Sequence, residues 1–394
     1  MRAESVAWER AAEVQEVAEA WRRAGAIDKP TYDAIRNAYP DPCVTPSAVW
    51  RILTACMVTA VIVCTLAAFF VALRPGATAL SLLLIVLGGA ALAVTERLEA
   101  SPRSARRGAA GATAFWGCVF VIAGLFIYLT ESRIRVDFDL GLNVLFLVSA
   151  LVWGLGCWRW GSPLFAGLAA VSMFLFLGRA PFGRIAWLVV GAGLIALFAR
   201  RSDDGTWAPS HRRSAMVLLV AGVSAVYLAV NVYSVDVRFI ETFMRYTPRT
   251  TPSRWLFMLA SIATAVVPLV VIVWGLKSRR IVLLDTGVVL LALSLVTLRQ
   301  YVHVAPLWVV LTAAGALLIV VALAVEQALR RAPDGERAGF TADPLFSEER
   351  WQRILQTVSV AATFTPAARV TATEEPGFAG RGGQFGGGGA SDKF

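Results

Sequence analysis

Few residues of this 394-residue chain combine a reactive side chain with an apolar setting. Asp285 stands five residues into an apolar run over 281–298. An ionisable group in such a run is a candidate for proton or ion handling. Arg279 and Arg280 lie close by and offer a plainer role, an ion pair near the edge of the run. Asn143 and Asn231 are polar residues in other runs and need only a hydrogen-bond partner. Two further sets recur at corresponding places: Asp137 with Asp236, and Arg179 with Arg299, all at the ends of their runs. Each Asp–Arg set could form one ion pair, and two pairs about a common axis could ring an opening. Tying adjacent loops together is the simpler use, and exposed pairs add little stability.

Residues for most enzyme chemistry are missing. The two histidines, His211 and His303, fall on opposite sides of the membrane in the topology derived below and cannot share a metal. There is no H-E-x-x-H, no G-x-S-x-G and no Gly-rich phosphate loop. The acids of Ser202-Asp203-Asp204-Gly205 sit between Arg pairs and read as a solvated turn. The five cysteines, Cys43, Cys56, Cys64, Cys118 and Cys157, form no C-x-x-C pair and have no histidine at ligand spacing. No catalytic residue, cofactor site or metal site is expected, and the chain reads as a non-enzyme.

The elements that carry these residues are membrane helices. The chain is 57% hydrophobic and 16% charged, whereas soluble domains carry about a quarter charged residues. Ten apolar segments of roughly bilayer-spanning length are expected at 49–73, 77–95, 109–130, 138–157, 162–177, 181–199, 213–233, 254–276, 281–298 and 304–327. The fifth is the shortest. Aromatic residues such as Trp50, Tyr128, Trp158, Trp160, Trp255 and Tyr301 mark the edges, as interface residues do. With no apolar stretch before Trp50, the first span is expected to insert uncleaved. Nearly all of the +10 charge is arginine, since only Lys29, Lys277 and Lys393 are lysines. Arginines favour the loops on the side of the tails, which places both termini in the cytoplasm of a bacterial inner membrane. No soluble module carries the basic, aromatic-laced patch of a nucleic-acid site.

An internal duplication organises the spans. "VWGLGCWRWGSPLFAG" (152–167) parallels "VWGLKSRRIVLLDTG" (273–287). Gly167 and Gly287, Arg179 and Arg299, and Trp187 and Trp308 follow at matching distances. Upstream, "YLTESRIRVD" (128–137) faces "YLAVNVYSVD" (227–236). Four spans per copy give the two copies one orientation. The expected fold is an all-α polytopic bundle arranged 2 + 4 + 4. Its parts are a hairpin (1–48), two spans (49–95), repeats at 101–201 and 208–331, and a polar tail (332–394).

The hairpin is "AEAWRRAGAIDKPTYDAIRNAYPDP" (18–42). Val14, Val17 and Trp21 share a helix face, Gly25 ends the first helix, and Asp28 with Pro30 opens the second. A Trp-bearing helix, "GAID" (25–28), a second helix and then a first span resemble the start of an uncharacterised bacterial multi-pass family, domain of unknown function 2157. The resemblance covers residues 13–75. It implies a bacterial membrane location and no activity. In the tail, "SEERWQRILQTVSVAA" (347–362) fits an amphipathic helix, and the Gly-rich end (377–394) reads as disordered.

The function expected from these features is a non-catalytic organiser or sensor of an envelope complex. Its partners are the lipid bilayer and a protein met at the cytoplasmic tails or at the long outer loop 237–253. The alternative is a small-solute or ion transporter built from the parallel repeats. Such a transporter needs polar residues such as Asn143, Ser149, Ser172, Ser224, Asn231, Ser261, Thr264 and Ser294 to converge on a cavity.

Overall fold

Inside a bilayer a backbone polar group finds no partner except its own chain, so apolar runs close into helices. The computed structural model describes residues 3–23, 25–42, 48–101, 108–131, 138–180, 182–202, 205–235 and 253–301, isolated positions between 309 and 331, and residues 336–337, 340–341, 385–386 and 389–390. Helices α1 (Ala3–Arg23) and α2 (Lys29–Ala38) form the N-terminal hairpin. The membrane helices follow: α3 (Ala48–Leu73), α4 (Ala77–Glu99), α5 (Ala109–Glu131), α6 (Phe138–Trp160), α7 (Pro163–Gly178), α8 (Gly183–Arg201) and α9 (Pro209–Val230). A 3-10 turn (Val232–Ser234) leads on, and α10 (Arg254–Ser278) and α11 (Ile281–Tyr301) complete the series. Eight of these, α3 to α6 and α8 to α11, are long and apolar enough to cross a membrane. The fold is an all-helical, multi-pass bundle.

The fifth expected segment is α7, a 16-residue apolar helix. At 1.5 Å per residue it is about 24 Å long, less than the roughly 30 Å hydrocarbon core. One face of it packs into the bundle, where Phe165, Ala166, Ala170 and Phe174 are buried, and Leu164, Val171 and Leu175 on the other face are exposed. The tenth segment, 304–327, is described only at isolated positions, among them the helical Ile319 and Leu323. Residues Met1–Leu323 and Ala324–Phe394 are two separate units. In the second, Glu336–Arg337 pairs antiparallel with Phe340–Thr341, and Phe385–Gly386 with Gly389–Ala390. The amphipathic stretch 347–362 lies outside the described residues.

Consecutive helices pair as antiparallel neighbours: α4 with α5, α6 with α7, α8 with α9 and α10 with α11. Several of these pairs meet through glycines. A Cβ at Gly88 of α4 would stand 2.8 Å from the Gly117 carbonyl oxygen of α5. A Cβ at Gly222 of α9 would stand 2.8 Å from the Gly191 carbonyl oxygen of α8. Lipid gives helices no hydrophobic reason to associate, so close backbone approach over small residues supplies the contact. Larger side chains fill the rest. Ala114, Cys118, Trp153 and Phe165 form a core among α5, α6 and α7. Leu219, Val223, Tyr227, Val271, Leu283 and Leu290 form one among α9, α10 and α11. Helix α3 stands at the edge, with no residue of its apolar stretch buried. It touches α5 where the Trp116 indole N–H donates to Thr59 Oγ1 at 3.1 Å.

Alternating directions bring the C-termini of α4, α6, α8 and α10 to one end of the bundle, with the N-termini of α5, α9 and α11. This is the hairpin end, because α1 packs on the start of α9. The hairpin forms as expected at its turn. Gly25 adopts φ +72°, and the Asp28 carboxylate caps α2 by accepting from the Thr31 backbone N–H at 3.1 Å. Small residues make the inward face of α1. Ala11 and Ala18 are buried, while Val17 and Trp21 are 42% and 51% exposed. Small residues win the inward face because they let α1 lie close to its neighbours.

Candidate functional site: the two polar ends of α9

Helix α9 gathers polar contacts at both ends. At the hairpin end its N-cap position is Ala208, which has no side chain to satisfy the first free N–H groups. A carboxylate from α1 supplies the cap instead. Glu9 Oε2 accepts from the Ser210 backbone N–H at 3.2 Å. One turn along α1, both Glu13 oxygens accept from Arg212 Nη2 at 2.6 and 2.5 Å. Between them Arg10 Nη2 donates to the Thr206 carbonyl at 2.7 Å. The spacing of Glu9, Arg10 and Glu13 follows from i, i+1, i+4 on one helix edge. Negative charge at a helix N-terminus is also favoured by the helix dipole.

The turn between α6 and α7 docks at the same place. Gly161 there has φ +66°, and a Cβ on it would stand 2.5 Å from Ser210 Oγ. Ser214 Oγ donates to the Gly161 carbonyl at 2.8 Å, and His211 Nε2 lies 3.0 Å from the Trp158 carbonyl. The start of α9 thus ties the N-terminal hairpin to the bundle. A cleft of about 600 Å³ opens beside it, lined by Glu9, Glu13, Glu16, Glu19 and Asp41, with Arg51 and Arg213 on its wall.

At the far end α9 stops at Val230, and a buried hydrogen-bond chain takes over. Asn231 Nδ2 donates to Tyr227 Oη at 2.8 Å, and its Oδ1 accepts from the Tyr233 N–H at 2.9 Å. Tyr227 Oη lies 2.9 Å from Ser294 Oγ of α11, which donates to the Thr264 carbonyl of α10 at 2.5 Å. Because the single Ser294 hydrogen is used there, Tyr227 is the donor in the Tyr–Ser bond. Pro268 explains the last link. Proline has no N–H, so the Thr264 carbonyl four residues earlier loses its helical partner. The Thr264 hydroxyl does not take that carbonyl up. It donates to the Ala260 carbonyl at 2.7 Å and accepts from the Val232 N–H at 2.9 Å. Outside the chain, Arg184 of α8 donates to the Ala229 carbonyl through Nε at 3.3 Å and Nη2 at 3.2 Å.

The residues singled out by sequence do not gather at one place. Asn231 belongs to the buried chain, together with Thr264 and Ser294. Asn143 and Arg179 meet each other, with Arg179 Nε donating to Asn143 Oδ1 at 2.6 Å. Asp285 is exposed on α11 and forms no ion pair among the described residues. Arg280 instead donates to the Ala199 carbonyl at the end of α8 at 2.6 Å. Arg299 Nε is buried with no hydrogen-bond partner among the described residues. Asp137 and Asp236, His303 and the loop 237–253 apart from Ser253 lie outside the described residues. Tyr227, Glu9, Glu13 and Arg212 were missed by sequence reading. The Ala208-Pro209 start of α9 was the available signal, since a helix that begins on alanine needs its cap from elsewhere. No group of three or more His, Cys, Asp or Glu able to hold a metal occurs among the described residues.

Compared with protein-family models, curated proteins and solved structures, the chain finds no match in any of the three.

Proposed function

We propose that this protein organises or senses an envelope complex through its N-terminal hairpin, without catalysing a reaction. One observation carries the reading: α1 is clamped to the start of α9 by Glu9, Arg10 and Glu13, yet keeps Val17 and Trp21 exposed. Tyr39 at the end of α2 is 50% exposed as well. A hairpin with no core of its own gains position from the membrane bundle and keeps an aromatic edge for a partner. The arginine-weighted loops and the likeness of residues 13–75 to a bacterial multi-pass family support an inner-membrane location with both tails cytoplasmic. For the 2 + 4 + 4 arrangement, with α7 and 304–327 as spans, the support is the shared pairing of α6 with α7 and α10 with α11. Those pairs carry the two Val-Trp-Gly-Leu stretches.

The runner-up, a transporter, draws on the same pairing. The polar groups that gather at the far end of α9 satisfy one another, which suits a closed structural joint better than a solute path. A photoreactive residue in place of Trp21, activated in intact cells, tests the organiser reading. The expected result is a discrete adduct with one protein, lost when Val17→Ser and Tyr39→Ser remove the rest of the edge. Adducts with lipid alone would sink it, and a saturable thermal shift with a small solute would favour transport.

A further inference from the structure

A second feature lies among α4, α5 and α6. Helices α4 and α6 flank α5 and leave between them a cavity of about 460 Å³, within the size range of ligand sites. Its depth is apolar, with Leu92 on α4, Cys118 and Val121 on α5, and Val152 on α6. Its α6 rim is Leu155, 63% exposed, so the cavity opens sideways to the membrane. One end is polar. There Glu96 of α4 and Arg159 of α6 form an ion pair in which the side chains stay 30% and 34% exposed. Trp160 completes that end, and its indole Nε1 is buried without a hydrogen-bond partner.

Position in the bilayer orders these features. Glu96, Arg159 and Trp160 lie in the last turn or so of α4 and α6, at headgroup depth on the hairpin side. Cys118 and Val121 lie about halfway along α5, near the bilayer centre. The cavity therefore runs from headgroup to midplane, the course of one acyl chain. Adjacent charges of both signs at its mouth complement a headgroup that itself carries both signs.

We infer that this groove holds one zwitterionic phospholipid of the hairpin-side leaflet, a phosphatidylethanolamine. Its acyl chain fills the apolar depth. Its phosphate meets Arg159, and its ammonium meets Glu96. Basic pockets between membrane helices bind headgroups by the same electrostatics.

The test is native mass spectrometry of the full chain released from nanodiscs of equimolar phosphatidylethanolamine and phosphatidylglycerol. The expected result is one retained phosphatidylethanolamine, preferred roughly tenfold, the ratio a single charge-assisted contact supplies. Glu96→Gln with Arg159→Gln should abolish the preference while leaving an acyl-chain ligand. Val121→Trp and, independently, Ala93→Met at another lining residue should lower retention by filling the groove. Equal retention of the two lipids by the wild-type chain overturns the inference without reliance on any variant. Preferred retention of phosphatidylglycerol, or retention unchanged by both groove-filling substitutions, overturns it too.

Discussion

The Ser294–Thr264 bond makes a prediction that separates proline chemistry from simple packing. Ser294→Ala removes the donor to the Thr264 carbonyl and the acceptor for the Tyr227 hydroxyl, both fully buried. A buried group left unpaired costs about 1–3 kcal/mol. In membranes single side-chain bonds average nearer 0.6 and reach about 1.7 kcal/mol, because the unfolded segments find other partners. Two lost bonds thus predict a destabilisation of about 1–3 kcal/mol. Pro268→Ala restores the N–H that the Thr264 carbonyl lacks. In that background Ser294→Ala should cost only the tyrosine half, so the four-member cycle should show a coupling of about 0.5–1.5 kcal/mol. Cavity effects of the proline change appear in both arms and cancel. The assay is unfolding by dodecyl sulfate in mixed micelles, followed by tryptophan fluorescence. A cycle additive within about 0.3 kcal/mol would refute the claim that Ser294 substitutes for the missing amide.

Other perturbations follow from the same structure. Gly117→Leu or Gly222→Leu pushes a side chain into a facing helix backbone and should destabilise the bundle by roughly 1–3 kcal/mol in the same assay. Charge reversal at Glu13 (Glu13→Arg) should raise amide exchange throughout α1, and Arg212→Glu in the same chain should restore protection. The clamp is part-exposed, so its net worth is about 1 kcal/mol or less. Hydrogen bonds from the Thr31 side chain and then its backbone hold the Asp28 carboxyl below its ordinary value of 3.8. A depressed folded-state value means the cap contributes fully above 3.8 and is lost as pH falls below it, so α2 should show increasing amide exchange only in that acid range. Asp28→Asn should flatten that dependence.

The helices were legible in the sequence because long apolar runs have one outcome in lipid. The first span was expected at 49–73 and α3 spans Ala48–Leu73. Asp28 and Pro30 announced the start of α2, since capping depends on local chemistry alone. The packing was less legible. Val17 and Trp21 share a helix face in the sequence, but nothing in the pattern showed that α1 would bury Ala11 and Ala18 instead. Shared motifs also hid different roles. Gly154 of the first Val-Trp-Gly-Leu has open space at its Cβ position, whereas at Gly275 a Cβ would stand 2.7 Å from the Leu284 backbone nitrogen. The site depended on partners some 200 residues apart, such as Glu13 and Arg212, and no local pattern in one sequence reports such a pairing. Asn143 and Arg179 were each noticed separately, and only the fold brings them together.

The clamp between α1 and α9 is the feature on which the functional account stands. Its most direct test is cross-linking in native membranes by a bifunctional thiol reagent long enough to replace the two side chains, with Glu13→Cys and Arg212→Cys placed in an otherwise cysteine-free chain. The account predicts rapid, near-complete cross-linking within one chain, and little from a Val17→Cys, Arg212→Cys control. Equal yields from the two pairs would mean that α1 does not rest on α9 as described, and the hairpin would lose its place in the mechanism.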